Sequence, residues 1–331
     1  MTRGIVIGKF YPPHKGHQYL INYALANVDS LTVLVCDSSD YIISAETRRK
    51  WLQAIHPEAT VVIIPDIGQD DNSQAWAEYT IKFLGYTPDV VYSSENYGIT
   101  YAECMKTKHV MVDRERTHIP ISATRVRKDY IKEWPFLHDV VRTDLAIRVA
   151  LVGAESTGKT TLSKALASHY NVPWVPEYGR LYSEAFNDTA HEWTDDEFVH
   201  IATIQQAFEN KVATASKGLI ICDTNAFATA VWQERYMGST TPAVREIANE
   251  DRVDLYIIPG DEIPFVQDGT RDGEHIRHGM HKRFLELLDK QDVPYCVVTG
   301  SVEERLATAT EAIDGLLKDG IFERKVLSHQ L

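Results

Sequence analysis

The stretch GIVIGKFYPPHKGH (residues 4–17) places two histidines, two lysines and two glycines within residues 8–17, directly behind an apolar run. GIVIG (4–8) is short, apolar and closed by glycine, the pattern of a buried parallel strand. HQYLINYALA (17–26) carries its apolar residues at helical spacing. Lys9, His14, Lys15 and His17 therefore fall on the loop between strand and helix, at the strand's carboxyl end. In open α/β sheets that edge is where ligands bind. Donors gathered beside a helix N-terminus suit an anion such as phosphate.

The alternation continues outward from this point. LTVLVC (31–36), ATVVIIP (59–65), PDVVYSS (88–94) and KHVMVD (108–113) read as strands. Residues 44–55 and 73–84 read as helices with Ser44 and Ser73 as N-caps, and a last helix begins near Ser122. EWPFLHDVVRTD (133–144) breaks the rhythm. It predicts a first domain over 1–134 and a linker over 135–145. AIRVALVG (146–153) restarts the same pattern, which predicts a second domain over 146–318 and a loose tail over 319–331. In that half PWVPE (173–177), GLIICD (218–223), DLYIIP (254–259) and PYCVVTG (294–300) read as strands. T-D-D-E (194–197) and S-V-E-E (301–304) read as helix starts. The expected fold is α/β, with two doubly wound parallel-sheet domains.

At 331 residues the chain is long enough for two domains that each bury a core, and its 44% hydrophobic and 24% charged content is globular. No apolar run approaches the ~18 residues of a membrane span. The N-terminus runs straight into a strand, so no signal or transit peptide is read and a cytoplasmic protein is expected. Net charge is −13, which argues against broad binding to nucleic acid. Local islands of positive charge stand at 9–17, 114–116, 125–128 and 271–283. Arg114 and Arg116 are expected to be ordinary solvated charge. Cys36, Cys104, Cys222 and Cys296 show no C-x-x-C pairing, which supports neither disulfides nor structural zinc. Core packing is expected of Cys36, Cys222 and Cys296.

GAESTGKT (153–160) fits G-x-x-x-x-G-K-[ST], behind a buried strand and ahead of a helix, the context this P-loop motif requires. Gly153, Glu155, Ser156, Thr157, Gly158, Lys159, Thr160 and Thr161 are thus the candidate ATP-binding residues of the second half. Backbone N–H groups there would cradle the β-phosphate, Lys159 would reach β and γ oxygens, and Thr160 would ligate Mg²⁺. Asp223, ending LIICD, is the expected second acidic residue, as metal ligand or proton acceptor. DGTRDGEHIRHGMHKR (268–283) reads as a closing lid whose Arg271 and Arg277 face the transferring phosphoryl group. A P-loop followed by such a lid is a small-molecule kinase layout.

GKFYPPHKGH (8–17) also reads as G-x-F-x-P-x-H-x-G-H, and ISATRVR (121–127) as I-S-x-T-x-x-R. These resemble the two signatures of nucleotidylyltransferases. With the P-loop following, the chain over about residues 3–318 resembles the bifunctional nicotinamide-mononucleotide adenylyltransferase/ribosylnicotinamide kinases, the NadR type. PEYGR (176–180) and VQDGTR (266–271) are similar to further stretches of that family, although Leu181 stands where many relatives are acidic.

The resemblance implies that Gly8, Lys9, Phe10, His14, Gly16, His17, Ser122, Thr124 and Arg127 bind ATP in the first domain, with His14, His17 and Arg127 neutralising phosphate charge. Asn72 and Trp76 of PDIGQDDNSQAW (65–76) resemble the Asn and Trp of an N-x-x-x-W stretch that holds the mononucleotide. Trp174, Glu177, Tyr178, Arg180 and Phe265 would bind ribosylnicotinamide. The implied partners are ATP with Mg²⁺, ribosylnicotinamide, nicotinamide mononucleotide and NAD, and a homo-oligomer is expected. Relatives that repress transcription carry an N-terminal helix-turn-helix; none precedes the first strand here, so no DNA binding is expected. Two alternatives stay open. A pantetheine-phosphate adenylyltransferase joined to a dephospho-coenzyme A kinase shares the layout, but usually has Thr where His14 stands and lacks the N-x-x-x-W counterpart. A sensor of NAD and ATP without turnover has no need of the full set Lys159, Thr160, Asp223, His14, His17 and Arg127.

Overall fold

The computed structural model describes residues 1–38, 41–69, 71–186, 191–265, 274–318 and 322. They divide into two units, one of Met1–Asp144 with Phe322, the other starting at Leu145.

In the first unit β1 (Arg3–Gly8), β2 (Ser30–Asp37), β3 (Thr60–Pro65), β4 (Val90–Ser93) and β5 (Lys108–Met111) form one parallel sheet. Its order is β3-β2-β1-β4-β5, so the direction of winding reverses between β1 and β4. A crevice opens at such a reversal, outside the carboxyl ends of the strands. The central strand is apolar at Ile5, Val6 and Ile7 because both of its faces are covered. Val6 joins a cluster with Leu20, Ile21 and Leu52, while its neighbours Ile5 and Ile7 join Trp76, Ala77 and Tyr101 on the other face.

Ser44 caps the helix Ala45–Ile55 as expected. The helix Ser73–Leu84 is capped by Asn72 and not by Ser73: the Asn72 Oδ1 accepts from the Ala75 N–H at 3.0 Å. The helix Tyr97–Met105 was not legible in the sequence. Its Gly98 lies so close to β4 that a Cβ would sit 2.0 Å from the Ser93 hydroxyl. Residues 133–144 are not an extended linker. They form a 3₁₀ turn, Trp134–Phe136, and most of the helix Asp139–Leu145, with Leu137 and Val141 buried. Apolar Trp134, Leu137 and Val141, spaced three to four apart, give this stretch a face to bury.

In the second unit β6 (Ile147–Leu151), β7 (Trp174–Val175), β8 (Leu219–Asp223), β9 (Leu255–Pro259) and β10 (Tyr295–Val298) form a parallel sheet of order β10-β9-β6-β8-β7. Both expected helix starts are present, Thr194 with Glu197 and Ser301 with Glu304. Helices Tyr178–Phe186, Ala226–Met237 and Pro242–Glu250 were not anticipated. Of the stretch expected to be a lid, 268–273 with Arg271 lie outside the described residues. Residues 274–283 are the start of the helix Glu274–Leu288 and not a loop. Of the tail, only Phe322 is described; its ring packs on Tyr11 and Tyr130, with centroids 5.7 and 6.3 Å away. All four cysteines are free thiols; Cys36 and Cys222 are buried, and Cys296 is only partly so. No helix among the described residues is long and apolar enough to cross a membrane.

Candidate active sites

In the first unit the helix Lys15–Leu25 begins at a histidine. His14 is its N-cap in extended conformation, and its Nδ1 accepts from the N–H groups of Gly16 (3.1 Å) and His17 (3.3 Å). The Nδ1 of His17 accepts in return from the His14 N–H at 3.3 Å. The pair thus does what Ser and Glu do in an ordinary capping box. The two rings stack with centroids 3.7 Å apart. Gly16 is required beneath them, since a Cβ would sit 3.0 Å from the His14 ring.

Because both Nδ1 atoms accept, each neutral ring carries its proton on Nε2. Burial, and next the charge of Arg116, pull the His14 pKa down to about 3. Burial also holds His17 well below its ordinary value, with His14 and Arg116 adding to the effect. Burial thus favours the uncharged form of both rings in the free protein, each with an N–H left to donate.

Both rings line a cavity of about 750 Å³ outside the carboxyl end of β1, a size suited to a nucleotide. Gly8, Lys9, Phe10, Gly16, Ser122, Thr124 and Arg127 line it too, so every residue expected to bind ATP in this half converges here. Ser122 caps the helix Ala123–Lys128. Arg127 donates to the Tyr11 carbonyl at 2.7 Å and to the Thr124 hydroxyl at 3.2 Å, which aims its guanidinium along the wall. Trp76 forms part of the wall. Asn72 is not among the lining residues: its Oδ1 is the helix cap and its Nδ2 donates to Gln69. The sequence reading missed Glu95, Asp113 and Arg116, all of which line the cavity. Arg116 is thus no ordinary solvated charge.

In the second unit the helix Lys159–Tyr170 begins at Gly158, with φ +86° and no side-chain cap. Gly153 (φ +134°) and Ser156 (φ +55°) complete a loop whose conformation leaves the first N–H groups of the helix without a side-chain acceptor. Thr157 is buried and bonds the Ala154 carbonyl. The Lys159 Nζ donates to the carbonyls of Gly153 (3.0 Å) and Ala154 (2.7 Å), folded over the loop. Thr161 is exposed on the helix flank.

Asp223 ends β8 buried and hydrogen-bonded to the Thr160 hydroxyl, while its Oδ1 has no hydrogen-bond partner. Burial raises its pKa against the pull of Thr160, Lys159, Lys164 and Arg180. Glu177, two residues past β7, is pushed up to about 7 by burial; Lys159 and Arg180 oppose the shift, and Asp223 and Glu155 add to it. The P-loop, Glu177, Arg180 and Asp223 therefore form one electrostatic cluster at the carboxyl edge of the sheet.

Arg277 is buried and reaches the P-loop, donating to the Asp261 carbonyl at 2.6 Å and the Ser156 carbonyl at 3.5 Å, with its guanidinium 5.8 Å from the Phe265 ring. The Trp174 Nε1 donates to Ser163, and the Lys164 ammonium sits 4.6 Å from its ring, so one face already holds a cation. Tyr178 bonds His200 at 3.0 Å, its N–H is taken by Gln205, and Arg180 pairs with Glu184. Arg305, missed in the sequence, donates to the Thr157 carbonyl at 2.7 Å and to Glu262 at 2.6 Å.

The cytidylyltransferase-like family matches residues 5–129, and the AAA domain family matches residues 148–305. The Escherichia coli K12 trifunctional NAD biosynthesis/regulator protein NadR is 28% identical, over 89% of this chain and 78% of its own. Over most of its length the chain is similar to NadR. A NadR crystal structure in complex with NR superposes with a TM-score of 0.70 at 23% identity, covering 96% of this chain and 95% of that one, and bears out the expected fold. The nicotinamide-nucleotide adenylyltransferase of Pyrobaculum arsenaticum is 29% identical over 51% of this chain and 99% of its own.

Proposed function

We propose that the second unit phosphorylates ribosylnicotinamide with ATP, and that the first joins the resulting mononucleotide to AMP from a second ATP, giving NAD and pyrophosphate. The observation that carries this reading is the pair of phosphate-binding helix starts, one on each sheet. It is supported by NAD-biosynthesis relatives over most of the chain.

In the kinase step the ribosyl 5′-hydroxyl oxygen bonds the γ-phosphorus, ADP leaves, and the hydroxyl proton passes to a carboxylate. Glu177, with a pKa near the working pH, suits that acceptor role. Lys159 and the N–H groups of 154–160 hold the phosphates, and Arg277 steadies the loop. A divalent cation such as Mg²⁺ fits beside them. The unpartnered, buried Oδ1 of Asp223 and the Thr160 hydroxyl are hard oxygen donors, and those two residues would hold it. Bound there, the cation neutralises phosphate charge.

In the adenylyltransferase step a mononucleotide phosphate oxygen bonds the α-phosphorus of ATP and pyrophosphate leaves. No protein nucleophile takes part. The Nε2–H groups of His14 and His17 and the Arg127 guanidinium stabilise the charge that develops, and Trp76 offers a ring to the pyridine. Incubation with ATP, Mg²⁺ and ribosylnicotinamide, read by mass, should yield the mononucleotide and then NAD. Turnover of pantetheine phosphate instead, or no turnover at all, would favour the alternatives.

A further inference from the structure

We propose that Arg116 is a phosphate-binding residue of the adenylyltransferase cavity, holding the triphosphate of ATP and the pyrophosphate it becomes, and that Glu95 is the internal anion those phosphates displace. The assignment rests on the adenylyltransferase reading above.

Arg116 lies on the loop after β5, on the wall shared with His14, His17 and Arg127. Its guanidinium meets Glu95, another lining residue, at 3.1 Å, and both side chains remain substantially open to solvent (40% and 61% exposed). A half-exposed pair of this kind is held weakly and exchanges readily for a more highly charged anion. The loop itself is firmly built. The Asp113 Oδ1 accepts from the Thr117 N–H (2.9 Å) and hydroxyl (3.2 Å), and from the His118 N–H and ring (3.1 Å each). Its Oδ2 accepts from the Ile119 N–H at 3.1 Å. Arg116 sits inside that clasp with its backbone at φ +52° and its N–H on the Asp113 carbonyl at 2.9 Å. A non-glycine residue kept in the left-handed region by five hydrogen bonds to one carboxylate has its position fixed by the loop. The guanidinium is also near enough to the paired histidines to depress both of their proton affinities. A cation beside two neutral N–H donors completes a phosphate site that the histidines alone leave uncharged.

The test measures NAD synthesis from mononucleotide and ATP, and the reverse reaction of NAD with pyrophosphate. Arg116→Gln should raise KM for ATP and for pyrophosphate at least about tenfold, leaving KM for the mononucleotide within about twofold. Arg116→Lys should recover part of the loss, and Arg114→Gln should match the wild type. Glu95→Gln should lower KM for pyrophosphate several-fold, because the competing carboxylate is gone. Undisturbed ATP and pyrophosphate constants in Arg116→Gln would overturn the assignment, as would a shift confined to the mononucleotide. Weaker pyrophosphate binding in Glu95→Gln would overturn the displaced-anion role. Retained ribosylnicotinamide kinase activity and melting temperature certify folding of each variant. If the wild type made no NAD, the adenylyltransferase reading itself would fail, and calorimetric binding of pyrophosphate to wild type and Arg116→Gln would still judge the residue.

Discussion

The two helices that follow the first strands of the two sheets stand in the same place and prepare for phosphate in opposite ways. At Lys15–Leu25 the N-terminal N–H groups of Gly16 and His17 are already taken by the His14 Nδ1, and the ring's far side carries the donor outward. At Lys159–Tyr170 the cap is a glycine with no side chain to accept anything, so the backbone itself is what a phosphate meets. The first design relays the helix end through an imidazole; the second exposes it directly. Relaying costs two residues and gains reach and proton-dependent behaviour. Exposure needs glycines at φ values that few other residues adopt. The same helix dipole serves both.

The sharpest way to break this comparison is at the exposed helix start. Lys159→Ala should lower ribosylnicotinamide phosphorylation by about 10²–10³-fold and leave NAD synthesis from the mononucleotide nearly intact, as product assays on both substrates would read. Loss of both activities in a folded variant would show that the two sites are not independent. At the relayed start, His17→Ala should slow NAD formation by about 10²-fold and let the mononucleotide accumulate. His14→Asn separates the two duties of a capping imidazole. Asn caps helices well, so the melting temperature should hold while adenylyltransferase turnover falls; His14→Ala should lose both, with about 1 kcal/mol of stability gone.

Acid and base should then act oppositely on the two regions. His14 has a folded pKa of about 3 against an ordinary 6.5, so its contribution to stability is present above pH 6.5 and is lost as pH falls toward 3. Glu177 has a folded pKa of about 7 against an ordinary 4.5. Its contribution is full below pH 4.5 and is lost as pH rises toward 7. Each effect should be a few kcal/mol at most. Melting temperatures across pH 4–8 should show the acid-side loss flattened by His14→Asn and the near-neutral loss flattened by Glu177→Gln. The smallest effect concerns Trp76, which is core as well as wall. Trp76→Phe keeps most of the packing but gives the pyridine a smaller ring, a difference of about 1 kcal/mol in stacking. It should raise KM for the mononucleotide several-fold and move KM for ATP less. Equal shifts would make Trp76 a packing residue only.

The ten strands among the described residues were legible in the sequence because most are short apolar runs, as in the fully buried Ile147–Leu151, Leu219–Asp223 and Leu255–Pro259. The helices that escaped notice carry a mixed signal. Ala226–Met237 buries Thr229 and Gln233 along with its apolar residues, so no clean stripe appears. Glycine in Tyr97–Met105 reads as a break until its closeness to Ser93 is known. The phosphate motifs were legible because their residues are contiguous. Arg116 was not, because its meaning lies in Glu95 and in a cavity wall, and a spacing pattern records neither. The capping duty of the Asn72 side chain was hidden in the same way: a cap and a ligand-binding residue have the same letter. Arg148 and Glu209, a buried pair at 3.9 Å, join positions far apart in the chain and leave no local trace.

Arg305 carries one more consequence. Its guanidinium holds the Thr157 carbonyl of the P-loop across 148 residues of chain, and it also bonds Gly260, Glu262 and Gly300 at the ends of β9 and β10. During synthesis the loop leaves the ribosome early and waits for the last long helix before that clasp can close. A nascent chain halted before residue 305 has the whole nucleotide motif yet lacks the brace beneath it. The kinase half is therefore expected to bind ATP only once Arg305 has been synthesised and can reach the loop.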